Sequence, residues 1–390
     1  MRERRVLYTT CFLRAVATQM VGVQLGVYLP AAGLSPSQAG TVLSAGLAGA
    51  AVAALLATLL ADARGRRRLL TEVALLGAVG ASGAAFGSGP FWLLAAAFLG
   101  MLNAMGRDRG AALIVEQAIL PATAPETERT RTFAVYNVCQ DAGHGLGALL
   151  AGFPALLDRT FEIPQVQGYR AGLLLYALLL LATALLYLRL AHDPAPRPPS
   201  LSPGSRRIVT GISALFAIDA IGGGFVTSAY LSWFFHARFG ADVGTIALLF
   251  AGARVFNAVS HLGAAWLARR IGLVNTMVFT HIPAGLLLVT VAYAPSFEVA
   301  AVLFLLREGL VEMDVPTRQS YVMAVVAPGE RVAASGITNI VRMGGWAAGP
   351  VVAGLLAPGV ALLVGAFLKI SYDVLLYFAF RSVRPPEEAR

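Results

Sequence analysis

Residues 37–68 read SQAGTVLSAGLAGAAVAALLATLLADARGRRR. From 37 to 61 no side chain is charged. A helix rises about 1.5 Å per residue, so a run of this length crosses the roughly 30 Å of bilayer hydrocarbon. It then closes within a few residues, where Asp62, Arg64, Gly65, Arg66, Arg67 and Arg68 bring charge and a turn-former together. The stretch reads as a membrane-crossing helix that ends in a basic loop.

The same pattern recurs along the chain. Apolar runs broken at Gly, Pro and charge clusters predict spans at 6–31, 37–61, 69–88, 91–120, 130–157, 168–190, 207–235, 241–268, 273–293, 297–326, 333–357 and 359–380. Composition agrees: of 390 residues 57% are hydrophobic and 13% charged, with a mean hydropathy of +0.71. A soluble domain carries about 25% charged residues, which excludes an ordinary cytosolic enzyme. Arg2-Glu3-Arg4-Arg5 superficially resembles the start of a cleavable signal peptide, but the apolar run resumes after Arg14 and reaches Pro30, as a full crossing does. Arg107-Asp108-Arg109 interrupts the fourth span. The expected fold is an all-α polytopic membrane protein of twelve transmembrane helices in two six-helix bundles, 1–192 and 207–390, joined by a linker at 193–206.

The basic residues are 29 Arg and one Lys, Lys369, and the net charge is +9. Nineteen fall in the termini and one alternate set of loops, and three (Arg159, Arg170 and Arg238) in the other set. That bias places both termini in the cytoplasm and makes the basic charge a matter of topology, with no nucleic-acid partner. Lys369, preceded by Phe367-Leu368, lies outside any phosphate-binding loop, which excludes an ATP-driven motor. Cys11 and Cys139 have neither a disulfide framework nor metal-ligand spacing. No cofactor or metal is expected. The expected partners are the lipid bilayer, protons and a small-molecule substrate, and the expected state is a monomer in a bacterial-type inner membrane.

The segment 193–204 holds five prolines and reads as a stiff, extended connection between halves. At an offset of 202 residues Tyr28-Leu29 falls on Tyr230-Leu231, Gln117 on Gln319, Glu128-Arg129 on Glu330-Arg331, Asn137 on Asn339, Gly143 on Gly345 and Gly147 on Gly349. Parallel repeats related by an axis along the membrane normal define one class of transporter, whose substrate lies between the halves.

The loop after the second span resembles the signature of the major facilitator superfamily, G-x-x-x-D-[RK]-x-G-[RK]-[RK]. Asp62, Gly65, Arg66 and Arg67 match, whereas Thr58 and Ala63 depart from the pattern. The resemblance implies that this loop latches the cytoplasmic side. In span eleven Gly345-Trp346-Ala347-Ala348-Gly349-Pro350 is similar to the glycine-proline motif that antiporters of this superfamily carry in span five. Span five itself has Ala148 where the proline would stand. Gly345, Gly349 and Pro350, with Asp62, Gly65, Arg66 and Arg67, are therefore expected to act in gating or structure. Met313 to Gln319 looks like a run seen in uncharacterised bacterial members and implies no substrate.

Charge inside the bilayer costs about 2.5–3.5 kcal/mol even on the lenient insertion scale, so such groups face partners or a wet cavity. Here they gather on spans one, four, seven and ten, the spans that line the central cavity in this superfamily. Arg14, Gln19, Asn103, Arg107, Asp108 and Arg307 are the candidate substrate-cavity residues. Glu308 and Glu312, four apart, repel when both are ionised; with Asp219, which precedes Gly222-Gly223-Gly224, they are the candidate proton-coupling residues. Arg307, Asp314 and Arg318 share another face, where Asp314 and Arg318 pair. Lys369 is expected to pair with Asp373, Asp141 to compensate Arg14 or Arg107, and His144 and His261 to be interior histidines. Arg254 and Arg342 are expected to pair between helices or to snorkel.

These features lead to a secondary transporter that moves a small solute by alternating access with proton exchange. The solute is an amphipathic drug-like compound or an organic anion, and efflux is the favoured direction. The rivals are a polytopic membrane enzyme using the same acids and histidines, and a scaffold that kept the fold and lost transport. The chain has no H-E-x-x-H and no G-x-S-x-G motif, which argues against the enzyme.

Overall fold

The computed structural model describes residues 2–108, 110–123, 129–191, 201–324, 326 and 330–381. Among them every regular element is helical. In chain order α1 is Arg2–Ala31, α2 Pro36–Arg64, α3 Arg66–Phe86, α4 Pro90–Gly100, α5 Ala111–Ile119, α6 Arg129–Leu150, α7 Phe153–Phe161 and α8 Gln165–Tyr187. The later elements are α9 Pro203–Gly224, α10 Ser228–Phe239, α11 Val243–Ile271, α12 Leu273–Tyr293, α13 Phe297–Val311, α14 Asp314–Ala324, α15 Arg331–Ala353 and α16 Val360–Phe380.

Helix starts follow local chemistry. Ser35 caps α2 in a reciprocal box with Gln38, and Pro36 supplies the preset backbone of the first turn. Ser202, Thr227 and Ser296 cap α9, α10 and α13 through their hydroxyls. Gly65, at φ 86, makes the reversal between α2 and α3 that the signature loop requires.

Among the described residues eight segments are long and apolar enough to cross a membrane: α1, α2, α3, α8, α9 with α10, α11, α12 and α16. The four remaining expected spans, 91–120, 130–157, 297–326 and 333–357, are the fourth, fifth, tenth and eleventh, and on them fall α4 with α5, α6 with α7, α13 with α14, and α15. They form matched pairs across the two halves. The fourth is broken between α4 and α5 and the tenth between α13 and α14, and the fifth and eleventh are the more polar segments carried by α6 and α15. Helix lengths repeat as well: α2 and α11 both have 29 residues, and α3 and α12 both have 21. The offset is not constant. α6 and α15 begin 202 residues apart, but α2 and α11 begin 207 apart, so a single shift captures only part of the repeat.

Cα packing divides the chain into two compact units. The first comprises Met1–Arg197, Thr227–Ala251 and Pro350–Leu355; the second comprises Pro198–Val226, Gly252–Gly349 and Leu356–Arg390. The interior of the first includes Leu7, Leu70, Leu120, Tyr136 and Tyr187, and that of the second Ile212, Met277, Tyr321, Tyr372 and Leu376. Leu59, Val79, Phe91, Leu178 and Phe367 remain outside, as crossing helices require of side chains that meet acyl chains.

Candidate functional site

In the first unit the fourth span is interrupted: α4 ends at Gly100 and α5 begins at Ala111, with residues 101–108 and 110 outside any helix. Met101 (φ 50) and Gly106 (φ 67) hold left-handed backbone there. Irregular backbone at membrane depth persists only where protein or a cavity satisfies it. Asn103 does this from within: its amide nitrogen donates to the carbonyl of Arg107 at 2.6 Å and its oxygen accepts from the N–H of Met105 at 2.9 Å. His144 Nε2 accepts from the N–H of Asp108 (3.1 Å), and Gln140 donates to the carbonyl of Asp108 (2.9 Å). Two further carbonyls are met by the start of α10. Ser228 Oγ donates to Met105 at 2.9 Å, and the N–H of Ala229 to Ala104 at 3.1 Å.

Beside this break stands Arg14, nearly fully buried. Its guanidinium reaches Asp108 at 2.8 Å and Glu116 at 2.5 Å. Glu116 also accepts from Thr10 Oγ1 (2.5 Å), Tyr136 Oη (2.7 Å) and Tyr187 Oη (2.7 Å). Arg14 in turn contacts the Tyr187 hydroxyl. Arg14 is thus compensated by Asp108 and Glu116 and not by Asp141, which the sequence had offered for Arg14 or Arg107. A small cavity of about 60 Å³ opens against Arg14, Thr18, Asn103, Asp108 and Tyr176. Arg107 lies half-buried on the same break. Gln19 is buried with both amide atoms unpartnered among the described residues. Arg109 lies outside the described residues.

In the second unit Asp219 is enclosed by cations. Lys369 Nζ lies 2.8 Å from Oδ1, Arg318 3.2 Å from Oδ2 and Arg342 3.7 Å from Oδ2. Sequence spacing placed no base near Asp219, because all three arrive from other helices. Asp314 pairs with Arg318 at 2.8 Å, as the four-residue step implied. Lys369 turns to Asp219 and leaves Asp373 to His281, whose Nδ1 lies 2.9 Å away. The guanidinium of Arg342 sits 5.0 Å over Trp346 and 6.0 Å over Phe216.

Arg307 pairs with its neighbour Glu308 and not with the Asp314 face. The helix stops at Val311, so the heptad step from 307 to 314 crosses a break. Glu312 is buried at the end of α13. Gly345 and Gly349 bring α15 against α9: a Cβ at Gly349 would overlap the backbone of Gly224, and one at Gly345 would lie 2.7 Å from the Ala220 Cβ. In the first unit Pro350 packs on Gly40 of α2, and the N–H of Val351 donates to Ser44 Oγ at 3.0 Å. In the loop after α2, Gly65 makes the turn and Arg66 and Arg67 are half-buried. The side chains of Asp62, His261 and Gln319 lie outside the described residues.

Tyr136, Tyr187 and His281 were not among the residues singled out from the sequence, while Arg342, expected to pair between helices or to snorkel, faces Asp219 of α9. Glu116 was visible as an intramembrane acid. The two tyrosines and His281 carry no local signal, since their partners come from distant helices.

Broken helices carrying buried charge, in matched positions of two helical halves, define a polytopic carrier. The family model of the Major Facilitator Superfamily matches residues 7–350, and the chain belongs to that superfamily. The uncharacterized membrane protein YJR124C of Saccharomyces cerevisiae is 25% identical over 426 residues, covering 98% of this chain and 95% of that one. Among solved structures, the nucleoside transporter NupG is similar with a TM-score of 0.73 and 17% identity, covering 98% of this chain and 99% of that one. A bacterial homolog of the human lysosomal transporter Spinster gives 0.76 and 16%, covering 97% and 96%. The D-xylose-proton symporter gives 0.73 and 13%, covering 99% of both chains.

Proposed function

We propose that the chain is a secondary active transporter that moves a small organic solute by alternating access, coupled to protons. The observation that carries this reading is the pair of breaks at Met101–Gly110 and at Glu312–Met313, in corresponding positions of the two halves. Discontinuous helices at matched positions mark the solute and ion sites of such carriers. Each break adjoins buried ionic groups: Asp108 in one, and Glu308, Glu312 and Asp314 in the other.

Charge balance favours an organic anion as solute over a cation. The cluster around Asp219 brings Arg318, Arg342 and Lys369 against Asp219 and Asp314. Among the described residues Arg342 meets acid only at the long 3.7 Å distance to Asp219, and its Nε has no hydrogen-bond partner there. A planar anionic group stacked beside Trp346 would satisfy it. On this reading Asp219 is a permanent anchor for cations, which leaves Glu308, Glu312 and Asp108 as the acids fit to exchange a proton. The glycine-proline segment on α15 supports export, and the arginine bias supports cytoplasmic termini in a bacterial-type inner membrane.

Counterflow in proteoliposomes with labelled organic anions and cations tests the proposal. Exchange of an anion without chemical conversion is the expected result. Conversion of the solute would establish an enzyme, and indifference to every solute a scaffold.

A further inference from the structure

The buried cluster of the first unit is unbalanced. Among the described residues it contains one cation, Arg14, and two acids, Asp108 and Glu116. The two acids are not equivalent. Both oxygens of Glu116 are occupied by Arg14, Thr10, Tyr136 and Tyr187, all donors, so it is fitted to remain an anion and neutralises Arg14. Asp108 has Arg14 at one oxygen and the Gln140 amide as a further side-chain donor, and lines the cavity.

We infer that Asp108 is a proton-binding site, neutral as a carboxylic acid in one stage of the cycle and ionised in another. Protonation forms an O–H bond at its carboxylate and leaves a balanced Arg14–Glu116 pair. Deprotonation returns the proton through the cavity and leaves a net negative cluster. The groups that face Asp108 make this assignment specific. From α1 come Arg14 and the Cys11 thiol, from α5 Glu116, from α6 Tyr136 and His144, and from α8 Tyr176 and Tyr187. The parts of α2 and α3 that line the cavity are Ala50, Val73, Ala74 and Gly77, none of them ionisable. His144 cannot substitute for Asp108, because Nε2 already accepts the Asp108 N–H and a second proton there would break that bond. Arg107 precedes Asp108 on the same break.

The site has a mechanical outlet. Asp108 lies three and four residues from Met105 and Ala104, whose carbonyls hold the first turn of α10. Loss of the Asp108 charge loosens its tie to Arg14 and with it the break on which α10 is seated. The role in transport rests on the proton-coupled reading above, but the site is measurable without transport.

Infrared spectra of the full-length protein in lipid, recorded across pH, read protonated carboxyls directly. The expected result is a titrating component of the carboxylic C=O band that Asp108→Asn loses relative to the parent protein and Glu308→Gln retains. An Asp108→Asn spectrum that loses no titrating carboxyl component, or a parent protein with none to lose, overturns the inference. Should Asp108→Asn fail to fold, Asp108→Glu must shift the band or its midpoint; an unmoved band overturns the inference equally. If the band depends on Asp108 while solute flux ignores a pH gradient, the proton site stands and the coupling part of the proposed function falls.

Discussion

Lys369 Nζ lies 2.8 Å from one oxygen of Asp219, while Arg318 holds the other at 3.2 Å. The two bases come from α16 and α14, so this carboxylate joins three helices of the second unit. Replacing Asp219 by Asn strands cations in a dry interior, a change that costs about 3–5 kcal/mol when one partner of a buried pair is removed. We expect Asp219→Asn to lower the thermal midpoint in detergent sharply. Adding Lys369→Met should recover part of the loss, because one stranded charge is then gone. A double variant no better than Asp219→Asn would show that Lys369 is not what the carboxylate holds.

Gly344 and Gly349 lie on the same helix with opposite surroundings. Nothing stands within 4 Å of a Cβ built at Gly344, whereas one at Gly349 would overlap the Gly224 backbone. Alanine at 344 should be neutral or stabilise by up to about 1 kcal/mol through helix propensity. Alanine at 349 must push α15 from α9 and should destabilise by about 1–3 kcal/mol. Unfolding of the two variants side by side checks the contrast, and equal effects would contradict the close approach.

Much of this architecture was readable from residue order. Apolar runs between arginine loops gave twelve crossings, and the Arg107-Asp108-Arg109 interruption fell inside the break from Met101 to Gly110. The single offset of 202 missed the drift to 207 at α2 and α11, because loops lengthen without disturbing helices. Charge partners were far less legible. Spacing found Asp314–Arg318, which needs only one helix, but assigned Lys369 to Asp373 when its partner is 150 residues away. Periodicity reports which residues share a face and carries no information on what faces them across a bundle.

The Tyr187 hydroxyl is buried between Arg14 and Glu116, donating to the carboxylate at 2.7 Å. Hydrogen bonds to a charged acceptor contribute about 1.5–3 kcal/mol. Tyr187→Phe should therefore destabilise the protein by an amount in that range. Tyr176→Phe, on the same helix beside the cavity, removes a hydroxyl with no protein hydrogen bond among the described residues and should change little. Chemical unfolding in mixed micelles distinguishes them. Equal losses would mean that packing and not the Glu116 network sets the cost.

Asp242, in the turn between α10 and α11, offers a pH test outside the bilayer. Its Oδ1 accepts from the N–H groups of Gly244 (2.8 Å) and Thr245 (3.1 Å), and its Oδ2 from Thr245 Oγ1 (2.9 Å), while Arg159 lies 3.6 Å away. Partial burial alone would raise its pKa, but the Thr245 and Gly244 bonds and Arg159 outweigh it and hold the carboxyl below the usual range. A depressed folded-state pKa stabilises the fold above the unfolded value of about 3.9, and that contribution is lost as pH falls through the lower folded value. The parent protein should therefore gain nothing between pH 5 and 8 from this residue and lose its contribution only in acid. Asp242→Ala, which also removes the cap of α11, should cost about 1 kcal/mol at neutral pH. The gap between the two proteins should close below the ordinary carboxylate range. Thermal midpoints of both across pH would decide it, and a gap that stays constant into acid would show that the ionised carboxylate is not what holds the turn.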